Sequence, residues 1–194
     1  MFSSVLFSQL LNSGITLAIN IVCARELTLI EFGNLSINLA AVFILSTILL
    51  SVSTQSILSK SHTNLNEILF ASRAIHFIGL ALGIALFSLL STFFIEMSRS
   101  LDLALLFIAI STKDFLRKQL SSLKIRNDLI KLDLFTLLTV TLAFACTVTY
   151  KWMPITPSLF IAILYLFPTL FFTQYLFFNS SSNLKSNILS VLAF

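Results

Sequence analysis

Charge is the scarcest property of this chain. Only 10% of its 194 residues are Asp, Glu, Lys or Arg, where a soluble domain carries about 25%. Hydrophobic residues make up 57%, 20 residues are Phe, and mean hydropathy is +0.99. A water-soluble globule of this size needs more polar surface than that. An ordinary soluble enzyme, a disordered protein and a nucleic-acid binder are therefore excluded. Cysteine is nearly absent too. Cys23 and Cys146 each sit inside an apolar run. A disulfide framework or a zinc site needs more sulfur at ligand spacing, so both read as small hydrophobes. No H-E-x-x-H, no Gly-rich phosphate loop and no supported Ser-His-Asp set occurs. No enzyme, metal centre or cofactor is expected.

What the chain does have is long apolar runs. A spanning helix takes about 20 apolar residues to cross about 30 Å of hydrocarbon. Six runs qualify: about 2–24, 34–59, 74–95, 103–123, 134–150 and 152–178. The connections are short, and the alternating segments of a barrel are missing. The expected fold is all-α, a polytopic transmembrane bundle of six helices over 1–178. Residues 2–24 are long for the hydrophobic part of a cleavable signal, and no Lys or Arg precedes them, so a span is expected there. Nine of the 12 basic residues, from Lys60 to Lys185, fall on the side of the 2–3 and 4–5 connections and the tail. Arg25, Arg99 and Lys151 fall on the other. Both termini are then expected in the cytoplasm. Four acids lie on each side, so the net charge of +4 is a topology signal, not the mark of a nucleic-acid partner.

Polar residues inside these runs mark candidate functional surfaces. In the first, Gln9, Asn12, Thr16 and Asn20 are spaced 3, 4 and 4 apart, which puts them on one helix face. In the second, Thr47, Ser51 and Gln55 are spaced 4 and 4. Such stripes either line a hydrophilic cavity or hydrogen-bond between helices. The fourth run carries Lys113 and Arg117 four apart, with Lys124 and Lys131 continuing that face. Lys113 lies about 16 Å from the outer end of its helix, near mid-membrane. The pair either forms a cationic lining for an anionic ligand or snorkels towards the cytoplasm. Arg25 either contributes to a cavity or pairs with Glu26 or Glu31. Thr28 and Glu31 fit a T-x-x-E capping box, so a helix is expected to start there, and Gly33 allows close packing or a bend. Gly79 and Gly83 form a G-x-x-x-G that permits close packing. His76 is either a proton site or an interfacial, hydrogen-bonded histidine. Tyr150 and Trp152 flank Lys151 as interfacial anchors do. Pro168 is expected to kink its helix or free a carbonyl.

Two stretches resemble a known family. The first run closes in Ala24-Arg25-Glu26-Leu27 and continues into Ile30-Glu31-Phe32-Gly33 before the second run. Asp114-Phe115-Leu116-Arg117 leads on to Arg126 and Asp133. Both resemble bacterial oligosaccharide flippases, the polysaccharide-transporter branch of the multidrug/oligosaccharidyl-lipid/polysaccharide exporter superfamily. The resemblance covers the whole chain in topology, while its specific motifs cover about a fifth. It implies movement of undecaprenyl-pyrophosphate-linked sugar repeat units across the inner membrane for O-antigen or capsule synthesis. A cationic cavity would complement the pyrophosphate, and Arg25, Lys113 and Arg117 match in residue type. It also implies twelve or more spans in two six-helix bundles facing each other across a cavity, of which this chain supplies the N-terminal one. Residues 179–194 read as a cytoplasmic linker and the first turns of a seventh span. The expected partners are the lipid-linked oligosaccharide, membrane lipid, and a second half-bundle or glycan-assembly proteins. Competing expectations are a non-transporting remnant or accessory subunit, and a drug/cation antiporter of the same superfamily. The antiporter would need an acid deep in a span, and Glu96 and Asp133 read as lying at span edges.

Overall fold

The computed structural model describes residues 3–59, 65–94, 97–122, 125–150 and 156–177. It contains six helices: α1 (Ser3–Glu26), α2 (Leu29–Ser59), α3 (Leu65–Phe94), α4 (Met97–Ser122), α5 (Arg126–Tyr150) and α6 (Pro157–Phe177). No strand occurs among the described residues. Four helices are long and apolar enough to cross a membrane, over Leu6–Glu26, Leu29–Thr54, Leu69–Leu89 and Asn127–Cys146. This is a multi-pass membrane protein built on helices.

Several helices begin before their apolar runs. The run marks the part of a helix suited to hydrocarbon. The helix itself extends until its backbone is capped. The capping box at Thr28 is formed, and α2 starts at Leu29 rather than near residue 34. Thr28 N donates to Glu31 Oε2 at 3.0 Å, Thr28 Oγ1 donates to the same oxygen at 2.8 Å, and Glu31 N donates to Thr28 Oγ1 at 3.4 Å. Helix α5 begins at Arg126 rather than near 134, and its exposed first turns hold an Asp128–Lys131 ion pair at 3.2 Å. Helix α6 begins at Pro157, not at 152. Pro at the first helical position loses no needed donor, and Thr156 Oγ1 caps Leu159 N at 3.4 Å. Trp152, Lys151 and the tail 179–194 lie outside the described residues.

Helix α4 is the central stave, packed against α2, α3, α5 and α6. Leu103, Ala104, Leu106, Phe107, Ala109 and Ile110 are all buried, so this stretch of α4 is apolar on nearly every side. Its C-terminal half carries Lys113, Asp114, Arg117 and Lys118. The surrounding helices shield that half from lipid, which is how α4 accommodates the charge. The G-x-x-x-G of α3 permits the close approach it suggests. A Cβ on Gly79 would strike the Leu49 side chain of α2, and one on Gly83 would strike the Phe107 ring of α4, with Cζ at 2.7 Å. Gly33 meets nothing within 4 Å, so no close packing occurs there. Pro168 is buried within α6, and the helix continues to Phe177. Its missing N–H leaves the Leu164 carbonyl without a helical donor.

The outward faces are largely apolar all round the bundle, including those of α1 and α2, which expose Leu10, Leu17, Ile37 and Ile44. Helix α3 exposes Phe70, Phe77, Ile78, Leu82, Leu86 and Leu89, α5 exposes Leu134, Leu138 and Leu142, and α6 exposes Ile163, Phe167, Leu170 and Phe171. These are surfaces suited to acyl chains. Helix α1 packs chiefly on α5 and scarcely meets α2 beyond their connecting turn. A gap therefore separates two helices that are neighbours in sequence.

Candidate functional site

Three charges of α4, Lys113, Asp114 and Arg117, lie with Asp133 of α5 in two acid–base pairs built differently. The first ties three helices together. Arg117 Nε donates to Asp133 Oδ1 of α5 at 2.9 Å, and Arg117 Nη2 donates to Asp133 Oδ2 at 3.3 Å. The same Nη2 donates to the Ser8 carbonyl of α1 at 3.2 Å and to Ser8 Oγ at 3.1 Å. Ser8 Oγ in turn donates to Asp133 Oδ2. Asp133 is fully buried and the Arg117 side chain is 17% exposed. Removing one partner of such a pair leaves a buried charge uncompensated, whereas the closed set satisfies both.

The second pair is open. Lys113 is 2% exposed. Its Nζ donates to Asn12 Oδ1 of α1 at 2.7 Å and lies 4.4 Å from the ring centroid of Tyr165 on α6. That hydrogen bond uses one of three ammonium donors, and the ring supplies a cation–π contact. Asp114, half-buried, makes no ion pair or hydrogen bond among the described residues. Lys113, Asp114, Asn12, Thr16, Phe43, Ile110 and Tyr165 enclose a cavity of about 40 Å³. A water needs about 10–15 Å³ of such space, so the cavity accommodates about three.

The polar stripes border the way in. On α1, Asn12 and Thr16 are half-buried at the cavity, and Gln9, Ser13 and Asn20 lie exposed on the adjoining edge. On α2, exposed Thr47 and Ser51 follow Phe43 at successive turns. Their hydroxyls bond to their own helix, Thr47 Oγ1 to the Phe43 carbonyl at 2.7 Å and Ser51 Oγ to the Ile48 carbonyl at 2.8 Å. The Gln55 side chain lies outside the described residues. Arg25 is not brought to this site. It ends α1, about 20 Å along the helix from Asn12, with its side chain 82% exposed and Nε 4.0 Å from Glu26. The pairing with Glu26 is formed.

Two expectations change. Asp133 is not at a span edge but fully buried, because α5 starts two turns earlier and Arg117 neutralises the carboxylate. His76 is buried, yet neither ring nitrogen has a hydrogen-bond partner among the described residues. It is instead stacked on Phe115 of α4, centroids 4.0 Å apart and planes 6° from parallel. Its depth in the α3–α4 seam separates it from the interface where a partner was expected.

The sequence reasoning missed Ser8, Asp114, Asp133 and Tyr165 as members of the site. Ser8 had a signal, since Ser8, Asn12 and Thr16 recur at spacings of 4 and 4. Tyr165 had none, because its contact with Lys113 crosses 52 residues of sequence. Comparison with protein-family models, curated proteins and solved structures gives no match.

Proposed function

We propose that this chain is the N-terminal six-helix bundle of a bacterial inner-membrane flippase for undecaprenyl-pyrophosphate-linked oligosaccharides. All six helices cross the membrane in this reading, with both termini in the cytoplasm, as the Lys/Arg distribution favours. One observation carries it. Among the described residues, the widely separated sequence neighbours α1 and α2 border a small cavity holding a buried ammonium, and the edges of α1 and α2 beside it carry amides and hydroxyls. Exposed Gln9 and Asn20 are ill suited to lipid and well suited to a hydrated path. A second bundle across the gap would complete the cavity, as alternating access between two bundles requires. Lys113 is the group suited to meet a phosphate oxygen. Arg117, closed on Asp133, holds α1, α4 and α5 in place.

Deletion of the gene tests the reading. The expected result is loss of surface polysaccharide, with lipid-linked repeat units accumulating in the inner leaflet of the inner membrane. Undiminished glycan export would overturn it and favour a non-transporting accessory subunit.

A further inference from the structure

We propose that Asp114 is an internal competitor for the anion site at Lys113, so that this one carboxylate sets the affinity for a pyrophosphate headgroup. The inference rests on the reading that the ligand is a pyrophosphate-bearing lipid, and it assigns a role to a residue which that reading leaves unused.

The contrast between the two pairs carries the argument. Within five residues of α4, Arg117 is closed on a carboxylate by direct contact, while Lys113 is not. Asp114 lines the same cavity as Lys113, yet no ion pair joins their side chains within 4.0 Å. That cavity is large enough for water and is partly enclosed. Every other polar group on its wall is neutral: the Asn12 amide, the Thr16 hydroxyl and the Tyr165 phenol. A lone ammonium at this depth would be an uncompensated charge. Asp114 supplies the compensation through the cavity without occupying the hydrogen-bonding positions on Nζ. A phosphate oxygen is the acceptor an ammonium takes as a point charge. It would enter where water now fits and would be repelled by the carboxylate on the same wall. The empty site is thereby stabilised and the filled site weakened, by the same residue.

The test uses the whole chain in phosphatidylcholine nanodiscs. The probes are geranylgeranyl pyrophosphate, inorganic pyrophosphate and geranylgeraniol. Asp114→Asn is expected to tighten binding of geranylgeranyl pyrophosphate by at least about tenfold. Lys113→Gln is expected to weaken it, and Asp114→Asn is expected to recover part of that loss in the Lys113→Gln background, because the repulsion from the carboxylate is then gone. Asp114→Ser provides a second neutral variant should Asp114→Asn fail to fold, with helical circular dichroism as the check. Asp114→Glu, which keeps the charge, is expected to bind as the parent does. Tightening for inorganic pyrophosphate as well marks the free anion as a ligand. Tightening for the lipid pyrophosphate alone marks a headgroup site. Equal or weaker binding by both neutral variants overturns the role of Asp114 and leaves the flippase reading in place. Binding that ignores Lys113→Gln, or that geranylgeraniol matches, overturns the anion site itself.

Discussion

The outward side of α3, α5 and α6 and the edges of α1 and α2 are made by the same kind of helix, yet they differ in what they ask of their surroundings. The first side exposes Leu82, Leu138 and Leu170, among others, and needs only acyl chains. The second exposes Gln9, Asn20, Thr47 and Ser51 around a gap that opens on buried charge. Thr47 and Ser51 return their hydroxyls to their own backbone, so they tolerate either environment. Gln9 and Asn20 have no such local acceptor among the described residues. The lesson is that apolar length identifies a membrane helix, whereas the unevenness of its exposed arc identifies which side is not lipid.

Three sets of substitutions sharpen that comparison. The largest effect is expected inside it, at the closed pair. Arg117→Ala leaves Asp133 buried and unpaired, and is expected to destabilise the bundle by about 3–5 kcal/mol. Unfolding of the purified protein in mixed micelles measures it. Arg117→Met combined with Asp133→Leu should recover most of the loss, since no charge then remains unpaired. A loss below about 1 kcal/mol in the single variant would show that the pair does not hold α1, α4 and α5 together.

The next effect compares the two sides directly. Leu82→Arg places a charge on the lipid face and is expected to be unfavourable by about 3 kcal/mol at the helix centre. Ser51→Arg, on the gap edge of α2, is expected to be nearly neutral. The recovery of monodisperse protein in mild detergent and in nanodiscs reads both. Equal losses would break the distinction between the faces.

The smallest effect lies at the turn joining α1 and α2. Thr28→Ala removes the cap of α2 and is expected to destabilise by about 1 kcal/mol. That corresponds to a fall of about 2–4 °C in melting temperature for a chain of this size. A larger fall would show that the turn also sets the separation of the two helices across the gap.

Much of this architecture was legible in the sequence because its signals are local. Apolar runs located six helices. Thr28 and Glu31, three residues apart, form the cap they suggest. Gly79 and Gly83 lie under the Leu49 and Phe107 side chains, as a small-residue pair on one helix face permits. Lys113 and Arg117 stood out because charge that deep in a run is costly. Their fates were not legible. Arg117 finds Asp133 across a connection and Ser8 from 109 residues away, and Lys113 finds Asn12 from 101 residues away. His76 shows the converse, since a histidine near the end of an apolar run was expected to find a partner and instead lies flat on Phe115.

The sequence by itself determined that the chain is helical, that it belongs in a membrane, and where the helices are capped and packed closely, because each depends on neighbours within about one turn or on the sum of residue hydropathies. Only the tertiary structure decided which charges are closed and which stay open. A charge buried by several helices at once is satisfied only by groups those helices bring to it, and helix rotation and separation are set by the packing of whole faces, which no short segment encodes.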